Sequence, residues 1–528
     1  MKKFFAILMT VCLLASALCV SAFAADPVVI RVAGMKEDGT LILPEDYAEF
    51  DEGWNKAAKL AQDHDWMDEN GILLIVVDLY ADWNAASNGK FGSGSGFKNS
   101  TICVPAGTSM MINMNGHTIN RGKKASEQDG EVILMGQRST LIINGGQHGD
   151  AVVELGKAPG TTKMGTVKGG YSSNGAGGIQ MDGNGKLTLN NVHIVSNGVK
   201  GNDGAAIAAY DNSTVTMNGG SISNNHLCVR KFPFISIDCC GTLYVKNSTV
   251  TLNNVKLSDN YTDERSGASD GALLYATGST VTMDGCLVSG NAVVGSGKAD
   301  ARSVITAKNS KLIIKNTDFT GNASGNVSDA YDRYDPSLLF DLEDSSLTMK
   351  GGKITGNNAE ELFSIDNSDA DLTDVTITHN ASAVLYVNNS VKKVTLTSCI
   401  LGNNTPGTAL EEIRVNNKGT LIMTDCTLGD TTYGNRDNVD IIQTFLPDPS
   451  PDSATDTRAD SDSDTQTDPN AKYKFWKIGS ASILGEGSPA MIISLLALAV
   501  SVAAMGLTVR YGKKLTGTPS AKQEEDEE

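Results

Sequence analysis

One thirteen-residue pattern recurs along most of this chain and constrains the fold more than any other feature. It is plainest in STVTMNGGSISNN (213–225), STVTLNNVKLSDN (248–260) and STVTMDGCLVSGN (279–291). Eleven windows fit the pattern, and they begin at residues 110, 139, 185, 213, 248, 279, 310, 345, 368, 392 and 419. A repeat of about 20–50 residues is typical of solenoids, propellers and repeat arrays.

The spacing of apolar residues within each window indicates which kind of repeat this is. Positions 3 and 5 are apolar, as in Val215 and Met217, and so is position 10, as in Ile222. Strict alternation predicts a strand with one buried face. Positions 6 and 7, such as Asn218-Gly219, tolerate left-handed backbone angles and bend the chain. Each window therefore predicts a strand, a tight bend and a second strand.

A third strand is predicted before each window, from two apolar columns. Five residues before position 1 stand Ala208, Leu243, Leu274, Ile305, Phe340, Phe363 and Val387; three residues before it stand Tyr210, Val245, Ala276, Ala307, Leu342 and Ile365. Three short strands per coil, without a helix between them, predict a parallel β-helix. The position-3 residues of five coils should then form one buried column: Val215, Val250, Val281, Leu312 and Leu347.

Asparagine recurs at position 13, as in Asn197, Asn225, Asn260, Asn291, Asn322, Asn357 and Asn380. Amide side chains stacked at the spacing of neighbouring strands can hydrogen-bond along the column, as asparagine ladders do in cross-β packing. We expect such a ladder here. The alternative is that these asparagines are surface turn residues.

The segment NMNGHTI (113–119), followed by Gly-rich coils that end in TGN or SNN, resembles the right-handed parallel β-helix proteins of the pectin lyase-like superfamily. Gly177-Gly178-Ile179 and the later FTGN (319–322) resemble the repeats of polymorphic outer-membrane adhesins. The resemblance covers about residues 100–430 and implies an all-β fold, a right-handed parallel β-helix solenoid. It says little about activity, because this fold is shared by lyases, hydrolases, tailspikes and adhesins.

Both ends of the chain predict export and membrane anchoring. Residues 1–24 have two lysines, an apolar run and a small-x-small site, which is the pattern of a cleavable signal peptide. Residues 490–509 are free of charge and long enough to span a bilayer core of about 30 Å. Basic residues follow this span, so residues 510–528 should be a cytoplasmic tail. A buried core helix is the alternative for the apolar span.

The region between the predicted signal peptide and the predicted membrane span has three parts that differ in composition. Residues 25–100 hold a helical pattern at 50–64 and a buried-strand pattern at 72–79, and we expect an N-terminal α/β cap on the solenoid. A small substrate-binding domain is the alternative there. Residues 101–446 should form the β-helix. Residues 447–472 are rich in Pro, Asp, Ser and Thr and predict a disordered, extended acidic stalk. The whole would be a single-pass membrane protein of a bacterial cell, with its N-terminal region outside.

Charge and cysteine content limit the possible partners. The net charge of −18 argues against binding nucleic acid. Cys286, Cys399 and Cys426 all stand at template position 8 and are interpreted as small core residues. Cys228 with Cys239 and Cys240 leaves two interpretations open, a loop bridge or a soft metal site.

The outward face of the first strand of each coil is the predicted binding groove. Tyr244 and Tyr275 should lie one above the other there, with Lys246 and Lys308 beside them. Aromatic faces surrounded by a few polar groups are the mixture expected of a binding site. Cross-strand pairing that only stabilises the sheet is the alternative.

Three carboxylates, Asp341, Glu343 and Asp366, should share this face on two neighbouring coils. Such pairs can carry out glycoside hydrolysis or hold Ca²⁺. The interpretation we favour is a solvated face of an acidic protein, with no catalytic residue and no cofactor. We therefore expect an adhesin or a glycan- or surface-binding protein, whose partner is an extracellular glycan or surface protein. A carbohydrate-active hydrolase or lyase and a structural surface spacer are the alternatives, and enzymatic activity is not the favoured interpretation.

Overall fold

The computed structural model describes residues 27–85, 96–98, 101–122, 130–146, 163–173, 175–199, 204–229, 241–264, 271–295, 302–322, 337–388, 392–405, 412–415, 420–429 and 433–434. Within these ranges the chain is all-β apart from two helices, α1 (Phe50–Gln62) and α2 (His64–Asn70). Successive coils stack on one another, and their equivalent strands pair to form long, mostly parallel sheets, as in a β-helix solenoid. In the described ranges no helix is both long and apolar enough to cross a membrane. The predicted signal peptide, stalk, membrane span and tail lie outside these ranges.

Each coil passes through three sheets, of which sheet 1 is the first. Sheet 1 has these described strands: β5 (Phe97–Lys98), β6 (Thr101–Val104), β9 (Ile133–Met135), β13 (Ile179–Met181), β17 (Ile207–Tyr210), β21 (Leu243–Lys246), β25 (Leu274–Thr277), β29 (Arg302–Lys308), β32 (Ser337–Glu343), β35 (Glu361–Asp366), β38 (Ala383–Asn388), β41 (Ile413–Val415) and β44 (Tyr433–Gly434).

Sheet 2 comes next in each coil and has these described strands: β1 (Ile30–Lys36), β2 (Leu41–Tyr47), β3 (Ile72–Leu79), β7 (Ser109–Asn113), β10 (Thr140–Asn144), β14 (Lys186–Asn190), β18 (Thr214–Asn218), β22 (Thr249–Asn253), β26 (Thr280–Asp284), β30 (Lys311–Lys315), β33 (Ser346–Lys350), β36 (Asp369–Thr373), β39 (Lys393–Thr397) and β42 (Thr420–Thr424).

Sheet 3 completes the coil with β4 (Trp83–Asn84), β8 (Thr118–Asn120), β11 (Gly165–Lys168), β15 (Val192–Val195), β19 (Ser221–Ser223), β23 (Lys256–Ser258), β27 (Leu287–Ser289), β31 (Asp318–Thr320), β34 (Lys353–Thr355), β37 (Thr376–Thr378), β40 (Ile400–Gly402) and β43 (Thr427–Leu428). A short sheet 4, which the sequence did not predict, follows in five coils: β12 (Tyr171–Ser172), β16 (Gly198–Val199), β20 (His226–Val229), β24 (Tyr261–Glu264) and β28 (Ala292–Gly295).

Left-handed residues make the bends between these sheets. In the coil that begins at Ser248, the backbone turns at Asn247 (φ 48°), Asn254 (φ 54°) and Asp259 (φ 57°). These sites are the residue before position 1 and positions 7 and 12 of the repeat. Asn, Asp and Gly recur there because they adopt positive φ at lower cost than other residues. The predicted bends at Gly219 and its equivalents are confirmed.

The side chains that alternate inward form one continuous core. The predicted position-3 column is confirmed, because its five members are in register from strand to strand and are at most 1 % exposed. The position-10 residues are also fully buried: Ile222, Leu257, Val288, Phe319 and Ile354. Parallel pairing between coils accounts for the repetition in the sequence, since each inward position contacts its equivalents above and below.

Two predicted windows are displaced in the structure. Met110 pairs with Leu141, a position-3 residue, so the first repeat begins two residues earlier than predicted. In the window that begins at Ser139, the strand in sheet 3 is β11, which starts only at Gly165. Both differences have one cause. Extra residues inserted at the bend between sheet 2 and sheet 3 change the spacing of the two strands in the sequence, while the strands still pair with their equivalents in the neighbouring coils.

The asparagine ladder is confirmed and is longer than predicted. Each side-chain Nδ2 donates to Oδ1 of the next asparagine at 2.9–3.1 Å, through Asn197, Asn225, Asn260, Asn291, Asn322, Asn357, Asn380 and Asn404. Asn404 donates in turn to Oε1 of Glu412 at 2.8 Å. The ladder therefore has one polarity and ends on a carboxylate that is only 2 % exposed. Buried amides of this kind are tolerated because their hydrogen bonds are satisfied.

A second ladder runs along the serines at position 1. The backbone N–H of each serine donates to Oγ of the serine in the next coil at 2.8–3.2 Å, through Ser213, Ser248, Ser279, Ser310, Ser345 and Ser368. These hydrogen bonds satisfy backbone donors at the bend between sheet 1 and sheet 2, where the strand pairing is interrupted. Serine at this position therefore has a structural role.

The region before residue 101 continues the solenoid core. As predicted, 50–64 contains a helix and 72–79 a strand. Helix α1 buries Phe50, Trp54, Ala57, Ala58 and Ala61. Strand β1 pairs antiparallel with β2 and β3, while β3 pairs parallel with β7, so sheet 2 extends into this region. The indole N–H of Trp54 donates to the carbonyl of Gly96 at 3.0 Å, which ties the helix to the chain that enters the first coils.

Candidate functional site

The predicted binding surface is the outward face of sheet 1, where the strand register places two columns of side chains. The first column contains Ala208, Tyr244, Tyr275, Thr306, Asp341, Ser364, Tyr386 and Arg414. The second contains Tyr210, Lys246, Thr277, Lys308, Glu343, Asp366 and Asn388. Side chains in a column are about 4.8 Å apart, since that is the distance between hydrogen-bonded strands.

Three tyrosines form a stack on this face. The ring centroids of Tyr244 and Tyr275 are 5.8 Å apart with the planes 20° from parallel, so these rings stack as expected. Tyr210 meets Tyr244 edge to face, with centroids 5.6 Å apart and planes at 62°. All three side chains are half-buried. Such a stack places partly exposed apolar ring surface and phenolic hydroxyls along the solenoid axis.

The prediction that Tyr210 and Ala208 point into the core is wrong. The inward residues of strand β17 are Ile207 and Ala209, which pair with Leu243 and Val245. The cause is one extra residue at the following bend. Two consecutive residues there, Asp211 (φ 41°) and Asn212 (φ 61°), have left-handed angles, whereas the next coil has one at the equivalent point. Counting backwards from Ser213 therefore places the strand one residue out of register. As a result, the count assigns Tyr210 to the core and not to the outward face.

The two lysines of the predicted site have different environments. Lys246 is exposed and stands beside Thr277 in the second column. Lys308 lies next to Glu343 of the following coil, and its Nζ is 3.4 Å from Oε2 of that carboxylate. An exposed ion pair of this kind contributes about 0–1 kcal/mol to stability, so it is no structural necessity. Both lysines place a positive charge next to the tyrosine stack.

The three predicted carboxylates share the face but divide between the columns. Asp341 stands between Thr306 and Ser364, while Glu343 and Asp366 are direct neighbours in the second column. Asp341 and Asp366 are half-buried and Glu343 is exposed. Throughout the described ranges, no group of three or more His, Cys, Asp or Glu residues is arranged to hold a metal ion.

A buried ion pair that sequence reasoning missed lies near these carboxylates. The Glu361 side chain is 7 % exposed and binds the guanidinium of Arg414, whose side chain is 28 % exposed. The guanidinium carbon of Arg414 also stands 4.6 Å from the ring centroid of Tyr386, a cation–π contact. Burial raises the pKa of Glu361 to about 7, against the opposing effect of Arg414, and the neighbouring Glu360 and Asp341 charges also raise it.

A separate groove of about 570 Å³ lies at the N-terminal end of sheet 2. Its lining includes Asp78, Tyr80, Met111, Asn113 and His117. Asn113 begins an outer amide row in which each Nδ2 donates towards Asp78 at 2.7–2.9 Å, through Asn113, Asn144, Asn190, Asn218 and Asn253. His117 Nδ1 is 3.2 Å from Asp82 Oδ1. The hydrogen bonds of this row connect successive coils, which is a structural role.

Comparison of the chain with protein-family models, with curated proteins and with solved structures finds no match. The outward face of sheet 1 is therefore a candidate site on the basis of its chemistry alone. That face combines a tyrosine stack, two lysines and, farther along, Tyr386 with Arg414.

The loop bridge or soft metal site predicted at three cysteines involves residues that are mostly outside the described ranges. Cys239 and Cys240 lie outside them, and only the backbone of Cys228, in β20, is described.

Proposed function

We propose that this protein is a membrane-anchored, cell-surface β-helix of the right-handed, pectin lyase-like kind, and that it binds an extracellular glycan along the outward face of sheet 1. The observation that carries the proposal is the stack of Tyr210, Tyr244 and Tyr275. Aromatic rings in a row along the solenoid axis present apolar surface and phenolic hydroxyls to successive sugar units. Lys246 and Lys308 supply donors to hydroxyl or carboxylate groups at the edges of those rings.

The charge of the chain agrees with a glycan rather than a nucleic acid as partner. The net charge is −18, which repels polyanions over most of the surface. The signal-like residues 1–24 and the apolar span 490–509 would place the solenoid outside the cell. The acidic segment 447–472 would hold it away from the membrane as an extended stalk.

A glycan array probed with the secreted 25–446 fragment tests this function. The double variant Tyr244→Ala/Tyr275→Ala should lose binding to the glycans that wild type retains, with a nearly unchanged melting temperature. Tyr261→Ala is the matched control, because Tyr261 is a 39 % exposed tyrosine that stacks on His226 in sheet 4. Wild-type binding by the double variant would refute this face as the site. Failure of wild type to bind any glycan would favour a surface protein as partner, or the spacer role.

Hydrolysis of the bound glycan is a second candidate function, and one observation favours it. Burial raises the pKa of Glu361 to about 7, which suits a general acid at neutral pH, and Asp341 is close enough to contribute to that shift. In this arrangement Glu361 would donate the proton to the leaving oxygen, and Asp341 would act as base or nucleophile. Glu361→Gln and Asp341→Asn should each abolish the release of reducing ends from a glycan found on the array. Glu343→Gln should retain activity, and the absence of any release by wild type would exclude this function for that glycan.

A further inference from the structure

Two cysteines meet in neighbouring coils near the C-terminal end of the solenoid. Cys399 and Cys426 occupy the same position of the repeat, at the bend between sheet 2 and sheet 3. Inter-coil hydrogen bonds flank the pair on both sides: Ser398 N–H donates to the Thr424 carbonyl at 2.9 Å, and Thr427 N–H donates to the Cys399 carbonyl at 2.8 Å. These bonds hold the two backbones at the spacing of paired strands, about 4.8 Å.

The two thiols have the same orientation and are neighbours in the column. Cys399 Sγ lies 3.4 Å from the Leu372 carbonyl, and Cys426 Sγ lies 3.4 Å from the equivalent carbonyl of Leu396. The two sulfurs are also close enough for each thiol to shift the pKa of the other. The neighbouring Cys399 thiol lowers the pKa of Cys426 to about 6, while the Cys426 thiol and burial raise the pKa of Cys399. Cys426 is therefore the better nucleophile of the pair near neutral pH.

We propose that Cys399 and Cys426 form a disulfide that links the last two described coils when the protein reaches an oxidising compartment. A disulfide joins Cα atoms about 4.4–6.8 Å apart, a range that includes the strand spacing. Disulfides persist outside the cytosol, which is where residues 1–24 would direct the chain. The proposal does not depend on the glycan-binding function.

The oxidant in this reaction is a small-molecule disulfide such as oxidised glutathione. The Cys426 thiolate attacks one sulfur of that disulfide, which breaks its S–S bond and releases one glutathione thiolate. The Cys399 thiol then loses its proton and attacks the sulfur of Cys426 in the mixed disulfide. The second glutathione leaves as a thiolate. Two protein thiols are oxidised, and one glutathione disulfide is reduced to two thiols.

The proposed link would secure the part of the site that lies nearest the C-terminus. The covalent ring from Cys399 to Cys426 contains strand β41, which carries Arg414, and also Glu412 at the end of the asparagine ladder. Oxidation would then hold both residues against the coil below. Reduction would leave this end held by non-covalent contacts alone.

Cys286 is the natural comparison, because it occupies the same position of the repeat without a thiol neighbour in the following coil. Its backbone N–H donates instead to Oγ1 of Thr317 at 3.2 Å. Burial raises the pKa of Cys286 to about 11, so this thiol is a poor nucleophile. Under conditions that oxidise the pair, Cys286 should form no link to another residue of the chain.

Peptide mapping of the full-length chain tests the proposal directly. The purified, reduced protein is treated with oxidised glutathione, remaining thiols are blocked with iodoacetamide, and the chain is digested with trypsin without reductant. Cys399 and Cys426 fall in separate tryptic peptides, 394–414 and 419–436, each with a single cysteine. The expected product is these two peptides joined, two hydrogens lighter than their sum. Recovery of both peptides as separate alkylated or glutathione-bearing species would overturn the proposal.

Three controls separate a link made by the fold from accidental oxidation. Cys399→Ser should leave peptide 419–436 bearing glutathione, with no protein partner. Cys286→Ser should leave the yield of the cross-link unchanged. Oxidation in concentrated urea should lower that yield, because the other cysteines then compete for the same partners. An equal yield in urea would overturn the claim that the native coils bring the two thiols together.

Discussion

Two columns of polar and aromatic side chains run along this solenoid, and they differ in how strictly they repeat. The asparagine ladder has the same residue in eight successive coils, and seven of these donate Nδ2 to the asparagine of the next coil. The first outward column of sheet 1 changes from coil to coil, from alanine through two tyrosines to threonine, aspartate, serine, tyrosine and arginine.

The difference follows from what each column must satisfy. A buried amide needs a donor and an acceptor from its neighbours above and below, and another amide supplies both. An outward side chain has water as an alternative partner, so its neighbours do not fix its identity. Strict repetition therefore indicates a structural role in this molecule, whereas departure from repetition shows only that the stacking leaves the residue free to vary.

The largest effect is expected in the ladder. Asn225→Asp keeps the shape of the side chain but replaces the Nδ2 that donates to Asn260, Ile194 and Ser223. A buried, unpaired carboxylate should lower the free energy of unfolding by about 3–5 kcal/mol. Urea unfolding, followed by circular dichroism, measures this loss in the free energy of unfolding.

Asn224→Asp is the matched control for that prediction, one residue away. Asn224 is exposed, and its φ of 54° resembles the 57° of Asp259, which occupies the same position in the next coil. The control should change stability by less than about 0.5 kcal/mol. Equal losses for the two variants would mean that burial in the ladder is not what selects asparagine.

A smaller, pH-dependent effect is expected at the Glu361–Arg414 pair. Burial raises the pKa of Glu361 from 4.5 to about 7, so the folded protein keeps a proton that the unfolded chain releases. This carboxyl therefore favours folding at low pH, and its contribution is lost as the pH rises from about 4.5 to about 7. The loss amounts to at most about 3 kcal/mol.

Glu361→Gln isolates this contribution, because glutamine resembles the protonated acid at every pH. Unfolding curves should show wild type and variant close together near pH 4, with wild type losing more stability towards pH 7. Parallel curves across this range would show that Arg414 keeps the carboxylate charged throughout. In that event Glu361 would have a structural role and could not act as the proposed proton donor.

The regular features were predictable because stacking makes each coil resemble its neighbours. The bends, the inward columns and the ladder all follow from reading one window against the next. The features that escaped prediction are the ones where the repeat is interrupted. Tyr210 was misplaced by the extra residue at Asp211-Asn212, and the Glu361–Arg414 pair joins side chains 53 residues apart. No property of a single window indicates such a contact.

The smallest effect on stability is expected in the tyrosine stack, which belongs to the variable outward columns. Tyr275→Thr introduces the residue that the same column already holds in the next coil, Thr306. Loss of the stacking with Tyr244 should cost about 1 kcal/mol or less. Phe340→Thr removes a ring from an aromatic stack inside the core, where Phe340 lies 4.9 Å from Phe363 and is fully buried. That change should cost about 3–5 kcal/mol.

The comparison of these two aromatic stacks is decisive when binding is measured on the same samples. Tyr275→Thr should weaken the affinity for the glycan found on the array while its unfolding midpoint stays close to that of wild type. If its stability falls as far as that of Phe340→Thr, the outer rings are part of the core, and loss of binding says nothing about contact with a ligand. If stability and binding are both unchanged, the tyrosine stack has neither role, and the variable column owes its variety to solvent exposure alone.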